Sequence, residues 1–358
     1  MPDKIKCGII GAGWWATFAH IPALLSHPDA ELVAIQNNNS VEAQKIAHDF
    51  GVPFACTTPD ELLAIEGISA VVVSSNPSLH YQDAFAALSH GKHVLIEKPM
   101  TLTVAEATQL VTMAEEHGSR FLISCPWHYT AHAIEAQRLI RQGDVGQVRM
   151  ISVLMTNPID DLLRGADTQP THTNGAPYMH PRVGTYSDPK LAGGGQIYAQ
   201  VCHAAAYLTF LTGARPAEVF ARFHNDGADL DIYDAIDMRM TDSSIVTLAS
   251  TGATSLGRKD FEVRIFGTKG MIFLDLWRGK LEFVPLSGEP RTYPDLEPDA
   301  VYPHLAPARN LIDSIHNPDR NQSPATLGVA AMEVIEGASR SAATGNNILV
   351  SSLVEQPA

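Results

Sequence analysis

The sequence has 358 residues, of which 45% are hydrophobic and 18% are charged, a composition that indicates a globular protein and excludes a disordered or fibrous one. This length exceeds what one hydrophobic core usually organises, so we expect two domains. The formal net charge of -14 at pH 7 argues against nucleic acid and anionic membranes as partners, and no apolar run reaches the length of a bilayer span.

In the first third of the chain, short apolar runs alternate with helical patterns, which is typical of repeated βαβ units around a parallel sheet. The predicted strands cover residues 5–10, 31–35, 70–74, 93–96 and 121–124. A helix is predicted over residues 103–116, because apolar residues recur there with helical spacing. The pattern therefore predicts an α/β domain of the dinucleotide-binding kind over residues 1–124.

The turn after the first strand reads Gly11-Ala-Gly13-Trp14-Trp15-Ala16, a G-x-G-x-x-A form of the dinucleotide phosphate fingerprint. Gly11 allows the tight turn, Gly13 leaves room for a pyrophosphate, and Ala16 lets the helix pack close to the strand. A glycine-rich turn that binds nothing is the less favoured alternative, because the strand, the helix and the second strand that the fingerprint requires are all present.

The second strand runs into Asn37 and Asn38, at the place where NAD-binding domains carry an acidic residue for the ribose. An amide can hydrogen-bond the ribose hydroxyls, and no arginine follows that would hold a 2′-phosphate. We therefore expect NAD as the cofactor, with NADP as the alternative.

A Glu97-Lys98-Pro99 turn follows the strand predicted over residues 93–96. Open α/β sheets bind their ligands at the carboxyl ends of the strands, so Lys98 can face a nicotinamide there. The alternative is a surface lysine at a strand end, and the spacing alone favours neither interpretation.

From residue 125 onward the pattern indicates an α+β domain with a mostly antiparallel open sheet, over residues 125–358. A helix predicted over residues 131–142 ends in Gly143-Asp-Val-Gly146, and a strand begins near Val148. Strand-like runs fill residues 218–283, and a last helix is predicted over residues 327–343. The long loop at 157–195 is rich in Pro, Gly, Thr and His, and we expect it to line a site.

Several motifs are spread over most of the chain: the fingerprint at Gly11, His20-Ile-Pro-Ala-Leu24, Asn76-Pro-Ser-Leu-His80, Gly91-Lys-His-Val94 running into Glu97-Lys98-Pro99, Gly143-Asp-Val-Gly146, and Gly193-Gly-Gly195 followed by His203. With these motifs the sequence resembles the glucose-fructose oxidoreductase / inositol dehydrogenase (Gfo/Idh/MocA) family of NAD(P)-dependent oxidoreductases. The resemblance implies an N-terminal Rossmann domain and a second domain whose open sheet often forms the oligomer interface, so we expect a homodimer or homotetramer. It also implies that the dinucleotide is held by Gly11, Gly13, Trp14, Trp15, Asn37, Asn38, Ser75, Asn76, His80, Glu97 and Lys98.

By the same resemblance, Lys98 and His203 form the catalytic pair beside the nicotinamide. A histidine suits a general base near neutral pH, and a lysine can stabilise negative charge on the reacting oxygen or relay the proton, so which of the two is the base stays open. Without the resemblance, His203 reads as a core histidine on a helix. Many relatives carry an Asp four residues before the histidine, where this sequence has Ala199, and Gln200 and His180 are the candidates to replace it.

The long loop and several aromatic residues predict a carbohydrate substrate, because hydroxyls, imidazoles and aromatic faces suit a sugar. Arg182 leaves room for an anionic sugar, and a polar surface loop is the alternative interpretation for any single residue. The expected substrate contacts are Trp127, Tyr129, Tyr178, His180, Arg182 and Gln200.

His128 and His132 have a spacing that can bind a metal ion, but no third ligand accompanies them, so we expect no metal. The four cysteines are scattered and read as buried thiols. No signal-peptide pattern opens the sequence, so we expect a cytoplasmic protein.

These features favour an NAD(P)-dependent dehydrogenase that oxidises a secondary hydroxyl of a sugar, glycoside or polyol. One alternative is a redox-neutral enzyme that retains NAD and cleaves a glycoside by oxidation and elimination. Another is a dinucleotide-binding regulator without catalysis, which the presence of both Lys98 and His203 disfavours.

Overall fold

A computed structural model describes residues 4–166, 177–182 and 184–354 of the chain. The strands of its first sheet are β1 (Ile5–Ile10), β2 (Ala30–Gln36), β3 (Phe54–Cys56), β4 (Ile68–Val73), β5 (His93–Ile96) and β6 (Phe121–Ile123). All six are parallel, in the order β3-β2-β1-β4-β5-β6. The predicted parallel sheet is confirmed, and β3 is the strand that the sequence pattern does not predict.

Helices connect these strands and cover both faces of the sheet. They are α1 (Ile21–Leu25), α2 (Ser40–Phe50), α3 (Pro59–Leu63), α4 (Pro77–Ser89) and α5 (Val104–Glu116). Two of the helices begin with a capping box, in which a threonine and a glutamate satisfy each other's backbone N–H groups: Thr58 with Glu61, and Thr103 with Glu106. These caps fix where α3 and α5 begin.

The order of strands reverses direction between β1 and β4. The chain leaves β1 toward β2 on one side and returns to β4 on the other, so the turn after β1 and the loop after β4 lie side by side. The backbone N–H of Ser74 donates to the carbonyl oxygen of Ile10 at 2.8 Å across this point. A crevice opens at such a reversal, outside the carboxyl ends of the strands.

The second sheet has nine strands in the order β14-β13-β12-β11-β7-β10-β9-β8-β15. They are β7 (Val148–Thr156), β8 (Pro216–His224), β9 (Tyr233–Met240), β10 (Ile245–Thr251), β11 (Asp260–Gly267), β12 (Gly270–Asp275), β13 (Lys280–Pro285), β14 (Arg291–Thr292) and β15 (Ile348–Leu349). Their pairs are antiparallel except for β7 with β10. The predicted mostly antiparallel sheet is therefore confirmed.

Helices cover one face of this second sheet. The remaining helices are α6 (Ala131–Arg141), α7 (Asp160–Leu163), α8 (Pro189–Ala192), α9 (Cys202–Thr212), α10 (Ala306–His316), α11 (Thr326–Thr344) and α12 (Ser351–Val354). Side chains of β9 and β10 alternate between buried and exposed, because the buried half packs against α9 and α11. The opposite face of the sheet carries no helix among the described residues and stays open.

Helix α10 packs on the first sheet although it comes late in the chain. Its Ala308, Leu311 and Ile312 are buried in one core cluster with Ile5 and Ile9 of β1. Residues 306–316 therefore cover the first sheet, whereas the predicted division of the chain assigns them to the second domain.

The stretch predicted as a long loop, residues 157–195, contains the short helices α7 and α8. Residues 167–176 and 183 of this stretch lie outside the described residues, and so does the predicted role of residues 171–176 in lining a site. Across the ranges that the structure describes, no helix combines the length and the apolar character needed to span a bilayer.

Candidate active site

A cleft of about 910 Å³ lies at the carboxyl ends of the first sheet and is closed on one side by residues of the second domain. A volume of this size suits a cofactor together with a small substrate. Most of the predicted site residues line it: Gly11, Gly13, Trp14, Trp15, Asn37, Asn38, Ser75, Asn76, His80, Glu97, Lys98, Trp127, His180, Arg182, Gln200 and His203. The structure thus brings together groups that are up to almost two hundred residues apart in sequence.

The turn after β1 requires glycine at its first position. Gly11 has a φ of 81°, and a Cβ placed on it would lie 2.3 Å from the backbone nitrogen of Ser75. Its N–H donates to the side-chain oxygen of Gln36 at 3.0 Å, and the Gln36 amide donates in turn to the carbonyl of Thr57 at 2.9 Å. The last residue of β2 therefore fixes the turn, a role that the fingerprint alone does not reveal.

At the end of β2, the Asn37 side chain was expected to hydrogen-bond the ribose, but it hydrogen-bonds other protein groups. The Asn37 amide nitrogen donates to the carbonyl of Ala12 at 2.9 Å and to Oε2 of Glu42 at 3.3 Å, while its amide oxygen accepts from the N–H of Asn39 at 2.9 Å. The amide of Asn37 is thus occupied within the protein. Glu42 on α2 supplies the acidic group that lines this end of the cleft, and sequence reasoning did not identify it.

Glu97 anchors the Glu-Lys-Pro turn to the first helical segment. Its Oε1 accepts from the indole N–H of Trp15 at 2.8 Å and from Nε2 of His20 at 2.9 Å, and its Oε2 accepts from the N–H of Lys98 at 3.0 Å. Burial raises the pKa of Glu97, but the hydrogen bonds from His20 and Ser124 outweigh it, so the pKa lies below its ordinary value. A buried carboxylate therefore stands directly behind Lys98.

The ammonium of Lys98 contacts the second domain through a backbone group. Its Nζ donates to the carbonyl oxygen of Ala199 at 2.8 Å. Burial lowers the pKa of Lys98, but the negative charges of the deprotonated Cys202, Tyr186 and Glu97 side chains outweigh burial and leave the pKa above its ordinary value. Position 199 thus holds the ammonium with its backbone carbonyl oxygen.

His203 lies on α9, almost fully buried, with 4% of its surface exposed. The Trp127 ring packs edge-on against it with a centroid distance of 5.2 Å. Burial, together with the charge of Lys98 and the proximity of His128, lowers the pKa of His203 well below its ordinary value. Its Nδ1 has no hydrogen-bond partner among the described residues. The imidazole is therefore neutral at neutral pH.

Asp231 holds the segment that leads to His203. Its Oδ1 accepts from the N–H of Gly195 at 2.9 Å, and its Oδ2 accepts from the N–H of Ile197 at 2.7 Å. A Cβ on Gly195 would lie 2.1 Å from the carbonyl oxygen of Asp231, so this contact requires the third glycine of the Gly193–Gly195 run. The glycine motif therefore fixes the backbone ahead of Ala199.

His80 joins two edges of the cleft. Its Nδ1 lies 2.7 Å from the carbonyl oxygen of Pro99, and its Nε2 lies 2.9 Å from the carbonyl oxygen of Ser75. Burial lowers the pKa of this side chain. His80 thus ties the turn that carries Lys98 to the loop after β4.

The structure separates the predicted substrate contacts into two groups. Tyr129 does not line the cleft, because its hydroxyl is turned inward and donates to Oδ1 of Asn310 at 3.2 Å. Tyr178 also lies outside it and donates to Oδ2 of Asp49 on α2 at 2.6 Å. The structure thus corrects the predictions for Tyr129 and Tyr178, whereas Trp127 and Gln200 line the same cleft as Lys98 and His203.

Arg182 and His180 line the cleft away from Lys98. The Nη2 of Arg182 donates to Oε2 of Glu42 at 2.6 Å, and Glu42 also contacts Asn37. The short segment 177–182 therefore lies along α2, beside the end of β2. This placement favours a contact with the adenosine side of a dinucleotide over the predicted substrate contact of Arg182.

An aromatic wall lies beside His203. Trp127 packs against Trp277 and Tyr302 with ring centroids 5.1 and 4.7 Å apart, and Lys259 lies over the Trp277 ring, with Nζ 3.8 Å from its centroid. Trp277, Tyr302 and Lys259 all line the cleft, and none was predicted. They lie in or beside loops, and the only sequence signal for them is their aromatic or cationic character.

The two histidines with metal-ligand spacing are engaged elsewhere. His128 is buried, stacks on Phe210 and shares a hydrogen bond with Ser323 Oγ at 2.9 Å, and His132 Nε2 lies 3.1 Å from the carbonyl oxygen of Pro294. No group of three or more metal-ligating His, Cys, Asp or Glu side chains occurs in the described part of the chain.

Two sequence models of one protein family match the chain. Residues 5–124 match the model described as an oxidoreductase family with an NAD-binding Rossmann fold, and residues 133–273 match the model of the GFO/IDH/MocA C-terminal domain. The matches cover the first sheet, strands β7 to β11 of the second sheet, and the segments that carry Lys98 and His203.

Named relatives are similar over parts of their length. An uncharacterised oxidoreductase from Synechocystis is 31% identical over 61% of this chain and 53% of its own. The dTDP-3,4-didehydro-2,6-dideoxy-alpha-D-glucose 3-reductase of Streptomyces antibioticus is 32% identical over 44% of this chain and 48% of its own. The chain thus spans about half the length of these two proteins. A solved levoglucosan dehydrogenase in complex with NADH and L-sorbose shares the fold, with a TM-score of 0.80, 16% identity and coverage of 99% of this chain and 100% of that one.

Proposed function

The chain belongs to the GFO/IDH/MocA family of oxidoreductases, and from that premise we propose that it oxidises a secondary hydroxyl of a sugar, glycoside or polyol with NAD as the hydride acceptor. One observation carries the proposal: the ammonium of Lys98 and the imidazole of His203 line the same cleft as the glycine turn after β1. The sugar nucleotide reductase and the levoglucosan dehydrogenase named above act on carbohydrates by name, which supports this substrate class.

The described residues fit a dinucleotide. The glycine turn keeps the space that a Cβ on Gly11 would fill, and the cleft continues from there to Lys98. Gly13, Ser75 and Asn76 would lie along the pyrophosphate, and Glu42 beside the adenosine ribose. When bound, the nicotinamide supplies the hydride acceptor.

Lys98 acts in this proposal as the hydrogen-bond donor. Its raised pKa keeps it an ammonium at neutral pH, already held at 2.8 Å by the carbonyl of Ala199. A preorganised cation of this kind stabilises the negative charge that grows on the substrate oxygen as its proton leaves. Glu97 behind it keeps the local charge balanced, so the ammonium is retained in a partly closed site.

His203 acts as the base. Its imidazole is neutral at neutral pH, so it can accept the hydroxyl proton and carry it as imidazolium until it passes to solvent. A charge on this ring is costly because it is buried beside Lys98, so the proton is not retained. We therefore assign the base to His203, one of the two alternatives that the sequence leaves open.

The cofactor choice follows from the charges at the end of β2. The carboxylate of Glu42 repels a 2′-phosphate and can accept hydrogen bonds from ribose hydroxyls. Arg182 lines the same end of the cleft, and it is paired with Glu42 at 2.6 Å. We therefore propose NAD as the preferred cofactor and NADP as the weaker one.

A homo-oligomer formed through the open face of the second sheet is part of the proposal. Large apolar side chains on this face are exposed, among them Met150, Leu154, Tyr233 and Ile245. Exposed apolar side chains on an open sheet face favour a subunit interface there. Light scattering that gave the mass of a monomer at micromolar concentrations would contradict this part alone.

The test is the formation of NADH over a panel of neutral, acidic and sulfonated sugars and inositols, measured by NADH absorbance. Stoichiometric NADH from at least one secondary alcohol is expected. Purified protein that retains NAD, cleaves glycosides and releases no NADH would favour the redox-neutral alternative. Dinucleotide binding without turnover on any compound, together with a stable protein partner, would favour a regulator.

A further inference from the structure

Lys259 is a cation of the cleft wall that has no acidic partner among the described residues. It precedes β11, its side chain lines the cleft, and its interaction with the face of Trp277 is the contact that holds it. The neighbouring carboxylate of Asp260 is engaged instead by Arg278 at 2.9 Å and by the hydroxyl of Thr156 at 3.1 Å.

The other cations of the cleft wall differ from Lys259 in this respect. Arg182 is paired with Glu42, and Arg278 is paired with two aspartates. Lys98 is held by the Ala199 carbonyl, next to Glu97. Lys259 is thus the cation that keeps its hydrogen-bonding capacity for a ligand, within the part of the chain that the structure describes.

Burial makes this isolation costly. Lys259 is half-buried, and burial lowers its pKa from the ordinary value. A half-buried ammonium that donates no hydrogen bond to protein loses part of its solvation, and here the face of Trp277 compensates only part of that loss. A bound oxyanion would restore the compensation and return the pKa upward, so the site is better matched to an anion than to a neutral hydroxyl.

The position of Lys259 fits the far end of a substrate that reacts at His203. Trp277 lies under Lys259, Trp127 lies next to Trp277, and His203 lies next to Trp127, with ring centroids 5.1 and 5.2 Å apart along the series. Neighbouring rings of this series stand nearly edge-on to each other, with interplanar angles of 85° and 89°, and form an apolar wall of the cleft between Lys259 and His203, along which the body of a sugar can lie. A substituent at the opposite end of that sugar from the oxidised hydroxyl would meet Lys259.

We propose that Lys259 forms an anion-binding subsite for the substrate, which is a sugar or glycoside carrying a carboxylate or another singly charged oxyanion away from the oxidised hydroxyl. This inference rests on the proposed function, because it assumes that the oxidised hydroxyl of the substrate lies at His203. It replaces Arg182, which faces the adenosine side, as the residue that selects an anionic sugar.

The test compares binding within pairs that differ only in the acidic group: D-glucose with D-glucuronate, and D-galactose with D-galacturonate. Calorimetry on the NADH-bound protein measures each affinity without turnover. The acid of at least one pair should bind about tenfold to a hundredfold more tightly, the effect of one hydrogen bond to a charged group. Sulfoquinovose, with a sulfonate in place of the carboxylate, tells whether the subsite distinguishes the two oxyanions.

Variants isolate the contribution of Lys259. Lys259→Gln should abolish the preference for the acid while leaving the affinity for the neutral sugar within about twofold, and Lys259→Arg should restore most of the preference. Lys280→Gln is the matched control, because it removes one positive charge from an exposed lysine that is paired with Asp295 outside this cleft. Thermal unfolding of each variant checks that the fold is retained.

The outcomes separate this inference from the proposed function. Equal affinity for acid and neutral sugar in the wild type, or an acid preference that survives in Lys259→Gln, overturns the subsite. An acid preference that depends on Lys259, without NADH formation from any acid, supports the subsite and counts against the dehydrogenase. NADH formation from neutral sugars without any preference for the acids supports the dehydrogenase and overturns the subsite.

Discussion

Replacing Lys98 by methionine removes the ammonium while keeping an unbranched side chain of similar length. The variant loses the hydrogen bond that Nζ donates to the carbonyl of Ala199 at 2.8 Å, and it loses the donor assigned to the reacting oxygen. Loss of one preorganised donor to a developing oxyanion lowers kcat by about a hundredfold to a thousandfold. The orphaned carbonyl lowers the free energy of unfolding by about 1–3 kcal/mol.

The two effects are measured separately. Steady-state rates with the best substrate of the panel give kcat and KM, calorimetry gives the affinity for NAD, and thermal unfolding gives the stability. The affinity for NAD should change by less than about threefold, because the residues expected along the pyrophosphate lie in the turn after β1 and the loop after β4. The loss should therefore fall almost entirely on kcat.

Lys92→Met is the matched control. The Nζ of Lys92 donates to the carbonyl of Ile68 at 2.7 Å, so this variant also removes a lysine from a backbone acceptor, but Lys92 does not line the cleft. It should lose stability to a similar extent and keep full activity. Activity in Lys98→Met equal to that of Lys92→Met would refute the role assigned to the ammonium.

Three further expectations follow from the same site. The kcat/KM for oxidation should stay flat from about pH 6.5 to about pH 10.4. Activity needs neutral His203 and protonated Lys98; the lowered pKa of His203 moves its protonation to more acidic pH, and the raised pKa of Lys98 moves its deprotonation to more alkaline pH. An inflection near pH 6.5 in the pH profile would contradict these shifts. Gly11→Ala should lower Tm and abolish NAD binding by calorimetry, because the left-handed φ of 81° alone costs about 1–2 kcal/mol; normal binding would show that the turn is not the cradle. Glu42→Gln should raise the ratio of NADP to NAD affinity by about tenfold, because it frees the Arg182 guanidinium for a 2′-phosphate. Arg182→Ala should lower the same ratio, because it leaves the Glu42 carboxylate without a cationic partner. A ratio that neither variant changes would show that this pair does not determine the cofactor preference.

Local signals account for the part of the fold that the sequence predicts. The strand over residues 5–10 and the strand over residues 93–96 have their predicted bounds, because each is a short apolar run between a polar start and a turn. Helix α5 begins one residue inside its predicted range, where Thr103 acts as the cap. The glycine turn is predictable because its positive φ requires a glycine, and that glycine is visible in the sequence.

Contacts between distant segments account for the part that it does not. Nothing in the amphipathic pattern of α10 tells which of two sheets its Leu311 will cover. The hydroxyl of Tyr129 and the guanidinium of Arg182 suit a sugar in composition, yet each is committed to a partner more than a hundred residues away. Trp277 likewise becomes a wall of the cleft only through its packing on Trp127.

The absence of a carboxylate at position 199 has a physical explanation in this arrangement. A buried ammonium needs an acceptor and a nearby negative charge, and here the carbonyl of Ala199 supplies the first while Glu97 supplies the second from the opposite side. Because Glu97 is fixed by Trp15 and His20, it cannot swing toward the substrate and compete for the ammonium's remaining protons. Lys98 therefore keeps protons that it can donate to the substrate oxygen in the proposed reaction, and a second carboxylate beside it would accept one of them.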